Sequence, residues 1–403
     1  MHYHRQPKIR AFVSIREAGP VKRLNLAVYA LFPLFAACSG GGTSTNVVPQ
    51  AVTAPIGSQG NTGVQSEAQS EAELKPQQLY TQSSADLLYV GNVGNNSITV
   101  YHHDAQGNAA PLDVIAGSKT GISNPGQISE DPQGDLYVVS SGTGGTSPSI
   151  LVFAHGANGN VAPIRKLAGP LTGFHNVRAM TVDQSTGKIF VVDNTGGEGY
   201  PASLLRFAPN ATGNEAPFAR GSITFWAYEL ASDSSGQNII EAHITGCCSV
   251  SNAGVDTFVK QFANGTAPAE PFSIRYFSSY GVADDPTTKT YLVTSGPGGT
   301  YATGGIYRLA EKTTGAGPLA YPNPATWASA PVSVITSDTC GTQLALGYLR
   351  NIYVTHSTAT FPACPSDAVY VYAHDASGNA SPLRVLSGGA TKLAQPYGIF
   401  EGQ

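Results

Sequence analysis

Charged residues are scarce in this chain of 403 residues, since they make up only 12 % of it, about half the usual share. Methionine and tryptophan occur just twice each. This composition argues against a coiled coil or a charge-rich helical protein, and equally against a highly charged disordered chain. Glycine (46) and proline (27) are abundant instead, and they divide the sequence into many short apolar segments. Short apolar segments between turn residues predict an all-β protein.

Residues 1–37 have the pattern of an export signal. Six basic residues and one acid precede an apolar stretch, residues 24–37, that is too short to span a membrane as a helix. The segment Phe-Ala-Ala-Cys that ends at Cys38 resembles the lipobox of bacterial lipoproteins, although Phe35 stands where leucine is usual. The resemblance implies cleavage before Cys38 and lipid attachment to it. Because Ser39 follows, it also implies sorting to the outer membrane of a bacterial cell envelope. An ordinary secreted protein is the alternative.

Residues 38–83 are rich in glycine, serine, threonine and glutamine, and they predict a flexible tether. Removal of residues 1–37 would shift the formal net charge from −4 to −9, because six basic residues and one acid are lost. A chain this acidic, with no basic cluster after Arg23, is a poor binder of nucleic acids.

A sequence unit recurs through residues 84–403. Each copy has an apolar strand, a Gly-Asn turn and a second strand, as in residues 97–115, 150–167 and 369–382. A second signature lies between these copies and consists of an apolar strand, an Asp turn and a strand that contains tyrosine, as in residues 128–139. Four short strands in about 50 residues form one propeller blade. Six copies therefore predict a six-bladed β-propeller with four-stranded blades.

The two ends of the repeat region complement each other. The N-terminal copy begins in mid-unit at residues 86–92, and the C-terminal residues 395–400 form a single strand. Pairing of these strands would close the ring and leave no open edge. The units resemble NHL repeats, and residues 88–101 also resemble YVTN-type repeats. These resemblances imply a six-bladed propeller but leave the function open. We expect a monomer.

The most irregular face of the propeller is expected to hold the ligand site, because its loops are long and rich in glycine. The candidate residues lie at strand ends or loops near the central funnel. They are Gln127, His175, Arg178, Asp193, Tyr228, Glu229, His243, Tyr280, Gln343, His356 and Tyr397. Four histidines of the Gly-Asn hairpins are expected on the opposite surface, namely His102, His103, His155 and His374.

Three of the funnel candidates, His175, His243 and His356, could hold zinc with an open fourth position. Peptidyl-amidoglycolate lyase propellers, which the blades distantly resemble, use such a site. However, the histidines lie far apart in sequence, and the calcium-ligand pattern of gluconolactonases has no match here. Polar strand ends are also ordinary in a wet propeller funnel. We therefore expect no cofactor, with zinc or calcium as the alternatives, and assign no catalytic residue.

Four cysteines remain if Cys38 carries lipid. Cys340 and Cys364 belong to neighbouring loops of one blade, so they are expected to form a disulfide in an oxidising compartment. Cys247 and Cys248 are adjacent. They could close on each other, as in quinoprotein dehydrogenase propellers, stay reduced or bridge to another molecule.

The sequence favours a binding protein over an enzyme. A lipid anchor, a regular scaffold and the lack of a convincing catalytic set indicate a module that binds a protein, peptide or glycan at its irregular face. The alternative is a secreted metal-dependent enzyme, either a lyase or a lactone hydrolase.

Overall fold

The computed structural model describes residues 86–143, 147–195, 202–223, 226–232, 238–244, 254–259, 273–275, 279–295, 304–310, 332–359 and 364–402. The predicted signal and tether lie outside these ranges, as do Cys38, Cys247 and Cys248. Within the ranges, no helix has the length and apolar character needed to cross a membrane.

The described strands form six four-stranded antiparallel sheets. Sheet 1 contains β1 (Leu87–Asn92), β2 (Ser97–His102), β3 (Asp113–Ile115) and β24 (Pro396–Gly402). Sheet 2 contains β4 (Pro125–Glu130), β5 (Leu136–Ser140), β6 (Ser149–Phe153) and β7 (Arg165–Leu167). Sheet 3 contains β8 (Val177–Val182), β9 (Ile189–Asp193), β10 (Ala202–Phe207) and β11 (Ala219–Ile223).

Sheet 4 contains β12 (Trp226–Ser232), β13 (Asn238–Ile244), β14 (Gly254–Val259) and β15 (Ser273–Arg275). Sheet 5 contains β16 (Ser279–Asp285), β17 (Thr290–Ser295), β18 (Gly305–Ala310) and β19 (Ser333–Ile335). Sheet 6 contains β20 (Gly341–Leu346), β21 (Ile352–His356), β22 (Ala368–Tyr372) and β23 (Arg384–Ser387). Two short 3₁₀ turns, Pro170–Thr172 and Gly389–Thr391, follow β7 and β23.

The sheets are arranged about an axis. The first strands of the sheets, β24, β4, β8, β12, β16 and β20, contact one another in cyclic order. We call these the innermost strands. The predicted all-β propeller with four-stranded antiparallel blades is confirmed.

The predicted pairing of the chain ends is also confirmed. β1 pairs with β24 in antiparallel register, with Tyr89 opposite Phe400 and Val90 opposite Ile399. Sheet 1 therefore takes its innermost strand from the C-terminus and its other three strands from the N-terminal end of the repeat region.

Apolar residues are buried on both faces of the inner strands, because each sheet packs between two others. All five residues of β5 and all five of β9 are buried. Between sheets 2 and 3, for example, Tyr137 and Val139 belong to the same apolar cluster as Met180 and Val191. The continuous apolar runs in the sequence therefore reflect stacking of sheets around the ring.

The Gly-Asn residues turn the chain and also contact the neighbouring sheet. Gly159, in the hairpin of sheet 2, has φ of +76° and forms a parallel bridge to Ile115 in the outermost strand of sheet 1. The next residue, Asn160, accepts a hydrogen bond from Lys119 N–H at 2.7 Å. Gly107, Gly213 and Gly378 form the same kind of bridge to their preceding sheets. Each hairpin thus covers the exposed edge of its neighbour, a role the turn interpretation missed.

The strand order defines two surfaces. The "loop face" carries the connections between second and third strands and those that lead into each innermost strand. The "hairpin face" carries the Asp turns after the innermost strands and the starts of the Gly-Asn hairpins. One hairpin histidine is not simply a surface residue, since His374 Nε2 lies 2.5 Å from Oδ2 of the buried Asp285.

Candidate functional site

Every innermost strand has an irregularity at the same point. The register between the innermost and second strands shifts once in each of the six sheets, near the loop face. A β-bulge bends a strand and re-aims its side chains, and bulges are common beside active sites. The six shifts fall at repeat-equivalent points, and they mark two successive residues of each innermost strand.

The two positions form two layers. The upper layer, nearer the loop face, contains Gly126, Arg178, Tyr228, Tyr280, Thr342 and Tyr397. The lower layer contains Gln127, Ala179, Glu229, Gly281, Gln343 and Gly398. In the lower layer, a long polar residue alternates with a small one around the ring. This alternation lets each long side chain extend over its small neighbour.

The lower layer ties distant sheets together. Gln127 Oε1 accepts hydrogen bonds from the N–H groups of Met180 and Leu230, both at 2.9 Å. Glu229 repeats the pattern two sheets further on, since its Oε2 accepts from Val282 N–H at 2.9 Å and Leu344 N–H at 3.3 Å. The lower layer therefore has a structural role, which the sequence did not reveal.

Small residues are required in this layer. A Cβ atom added to Gly281 would lie 2.8 Å from Glu229 Oε2 and 2.7 Å from Thr342 O. Such contacts are too close for a side chain. The third long side chain, Gln343, donates from Nε2 to Tyr228 O at 2.7 Å.

Glu229 is buried, since only 2 % of the residue is exposed to solvent. Burial raises the pKa of Glu229 well above its ordinary value, although the two N–H donors partly oppose this effect. Burial likewise raises the pKa of Tyr397, and the nearby Arg178 charge opposes that shift.

The upper layer is aromatic with one cation. The rings of Tyr228 and Tyr280 meet edge to face with their centroids 5.2 Å apart. Both pack against the Cys340–Cys364 disulfide, whose Cα atoms are 5.9 Å apart. The predicted disulfide is therefore confirmed, and it lies beside the axial tyrosines. Arg178 is partly exposed, and its charge interacts with Tyr397.

Two further candidates, Asp193 and His356, lie at the ends of second strands and make contacts within their own sheets. Asp193, at the end of β9, accepts hydrogen bonds at Oδ1 from the N–H groups of His175 and Asn176, both at 2.7 Å. Its Oδ2 lies 3.1 Å from His175 Nδ1. These contacts anchor the chain that enters sheet 3, and the expectation that Asp193 and His175 share the funnel with Glu229 stays a prediction.

His356 occupies the equivalent strand end in sheet 6, and it is buried. Its Nε2 lies 2.9 Å from Asp338 Oδ2, and its ring stacks on Tyr370 with a centroid distance of 3.9 Å. Asp338 was not anticipated as its partner. The side chain of His243 lies outside the described structure. His175 and His356 belong to separate sheets, each with its own aspartate, and the described residues contain no group of three metal-ligating side chains.

Comparisons with known proteins support the fold alone. No protein-family model matches the chain, and no curated protein matches it. Among solved structures, it is similar to the periplasmic gluconolactonase of Pseudomonas aeruginosa, with a TM-score of 0.51, 13 % identity, and coverage of 79 % of this chain and 99 % of that one.

A chain of the nidogen/laminin complex gives a TM-score of 0.49 and 11 % identity over 78 % of this chain and 97 % of that one. The PQQ-bound aldose sugar dehydrogenase of Streptomyces coelicolor gives 0.45 and 11 % over 69 % and 86 %. A shared fold does not fix a function, so the function depends on the residues of the site.

Proposed function

We propose that this chain is an exported lipoprotein, anchored to the outer membrane through Cys38. Its six sheets would act as blades of one ring that binds a protein, peptide or glycan at the loop face. The observation that carries the binding role is the set of equivalent bulges, at which Arg178, Tyr228 and Tyr280 occupy the same position in three successive sheets.

The two layers have different roles, and this difference supports the proposal. The oxygens of Gln127 and Glu229 are occupied by backbone N–H groups, so these residues hold the ring together. The upper layer supplies one partly exposed ring, Tyr228, and one partly exposed cation, Arg178, and aromatic and arginine side chains dominate binding hot spots. The disulfide restrains one side of this surface.

Two measurements test the proposal. Palmitate labelling should occur in the natural chain and disappear in Cys38→Ala, with release of the protein from membranes. Unchanged labelling of the variant would end the lipoprotein interpretation. For binding, defined peptide and glycan libraries should yield a ligand whose affinity falls in Arg178→Gln and Tyr228→Ala but not in Leu383→Gln, a substitution in an exposed residue of the outer rim.

A second function, hydrolysis of a lactone, is favoured by one observation. His175 Nδ1 lies 3.0 Å from Gly173 O and 3.1 Å from Asp193 Oδ2. Both are acceptors, so Nδ1 carries a proton, and in the neutral imidazole Nε2 can then act as a base on a side chain that is 62 % exposed. A carboxylate is not needed to anchor the chain that enters a sheet. At the equivalent strand ends of sheets 1 and 2, Asn92 accepts the N–H of Ala394 and Ser140 accepts the N–H of Ser123.

In that reaction, His175 Nε2 would take a proton from water as the water oxygen bonds to the lactone carbonyl carbon. The ring C–O bond would break, and the same proton would pass to the leaving oxygen. Turnover of a lactone that is lost in His175→Gln and kept in His155→Gln would favour the enzyme. Absence of turnover in the natural chain, together with Arg178-dependent binding, would favour the binding module.

A further inference from the structure

Among the residues that the structure describes, large apolar side chains are exposed very unequally on the two faces. Eight described residues of this kind are about half exposed or more. Only Leu171, in the 3₁₀ turn after β7, is on the loop face. The other seven belong to the hairpin face, and they fall into a rim and a turn. Single exposed apolar residues are ordinary, but a one-sided distribution indicates a surface that has a partner.

The rim consists of five residues in one repeat-equivalent position. Each directly follows a proline and precedes the outermost strand of its sheet, and each donates its N–H to a carbonyl of the preceding strand. Their exposures lie between 49 and 61 %, and they are Leu112, Ile164, Phe218, Val332 and Leu383. Equivalent positions in a ring of repeats lie in one plane perpendicular to its axis. The rim is therefore suited to a flat surface.

The turn is Tyr348-Leu349, between β20 and β21, with exposures of 49 and 48 %. The other described turns between an innermost strand and the second strand have no large apolar residue. They comprise residues 132–134, 184–187 and 286–289. A tyrosine beside a leucine is suited to a membrane interface, because its ring is apolar while its hydroxyl group stays hydrated.

The chain enters the propeller next to this turn. Asp86, the first described residue, accepts a hydrogen bond from His103 N–H at 3.1 Å. His103 O in turn accepts from Tyr353 Oη, which also donates to Glu401 at 2.8 Å. Glu401 accepts the N–H of Tyr348. The segment that precedes residue 86 therefore joins the hairpin face beside its most apolar turn.

From these observations we propose that the hairpin face lies on a lipid bilayer, with Tyr348-Leu349 at the headgroup boundary and the rim around it, and that the loop face points away from the membrane. This inference rests on the proposed lipid anchor. The 47 residues between Cys38 and Asp86 would span about 40 Å as a flexible coil, which is too long to impose an orientation. The unequal distribution of exposed apolar residues between the two faces, among the described residues, does favour one orientation.

The test uses an environment-sensitive fluorophore on single cysteines, in the full chain with Cys247 and Cys248 changed to serine. Leu349→Cys and Leu112→Cys report the hairpin face, and Leu171→Cys is a matched control because it is also exposed but lies on the loop face. On phosphatidylcholine vesicles that contain nitroxide lipid, we expect a blue shift and loss of most fluorescence at 349 and 112, and neither at 171. Equal responses at 349 and 171, or a response only at 171, would overturn the proposal.

Two further measurements test the membrane contact independently of lipid attachment to Cys38. The labelled protein is also held on nickel-chelating vesicles by an N-terminal His tag, so the contact can be measured even if Cys38 carries no lipid. Tyr348→Ser/Leu349→Ser should lower vesicle partition of the untethered chain about tenfold, from the apolar area removed. Burial of these residues without lipid, in a dimer that forms as concentration rises, would refute the membrane contact in favour of self-association.

Discussion

Replacement of Glu229 by glutamine tests how the axis is built. Glu229 uses one oxygen to accept two backbone N–H groups, and a glutamine could do the same, since Gln127 already does so two sheets away. The carboxylate adds only a charge that must be buried. We therefore expect Glu229→Gln to keep the fold and to gain stability at neutral pH.

The size of the gain depends on pH in a defined direction. Burial raises the pKa of Glu229 above its ordinary value of 4.5, so the unfolded chain ionises first as pH rises. Between that value and the folded-state pKa, the unfolded state binds fewer protons, and the free energy of unfolding falls by up to about 1.4 kcal/mol per pH unit. Below pH 4.5 Glu229 is protonated in both the folded and the unfolded state, and its full contribution to the free energy of unfolding is present.

The assay is urea unfolding of the natural chain and Glu229→Gln at intervals from pH 4 to 9. The difference between the two chains should be small at pH 4 and should widen as pH rises, in favour of glutamine. Gln127→Glu is the matched control and should acquire the same loss at high pH. Parallel curves for the natural chain and Glu229→Gln would show that the Glu229 carboxyl titrates normally, and the account of the lower layer would then be wrong.

The remaining predictions concern the scaffold. Gly159→Ala should cost about 1–2 kcal/mol in thermal or urea unfolding, because the residue has positive φ and open space around it, whereas Gly389→Ala should be nearly neutral; equal effects would exclude backbone strain as the cause. Cys364→Ser should cost about 3.5 kcal/mol by the loop-entropy model for a separation of 24 residues, and an unchanged melt under non-reducing conditions would contradict the disulfide. Deletion of residues 394–403 removes β24 and should abolish the cooperative melt, so a soluble deletion variant with a near-native midpoint would refute closure by the chain ends.

The repeat made the fold readable from the sequence. Strand, turn and strand recurred at a regular interval, and the incomplete first copy implied that β24 would complete sheet 1. The Cys340–Cys364 pairing followed from the same alignment, because it placed both loops in one blade. These features depend on local pattern and connectivity, which a sequence records directly.

The site was only partly predictable. The repeat placed Arg178, Tyr228 and Tyr280 at equivalent strand positions, and the structure has a β-bulge at each of them. It could not show that Asp193 turns back to His175 or that His356 pairs with Asp338. Those contacts depend on side-chain direction within one sheet. The bridging role of the Gly-Asn hairpins was also hidden, because it is a contact between neighbouring sheets.

The central claim is that the loop face binds a ligand at the axis without converting it. The most direct measurement incubates the purified chain with the ligand identified in the library screen, and then determines both its affinity and its chemical identity by mass spectrometry. The account predicts recovery of the unchanged compound and loss of affinity in Arg178→Gln, with no effect of His175→Gln. Conversion of the compound, or binding that Arg178→Gln leaves intact, would contradict it.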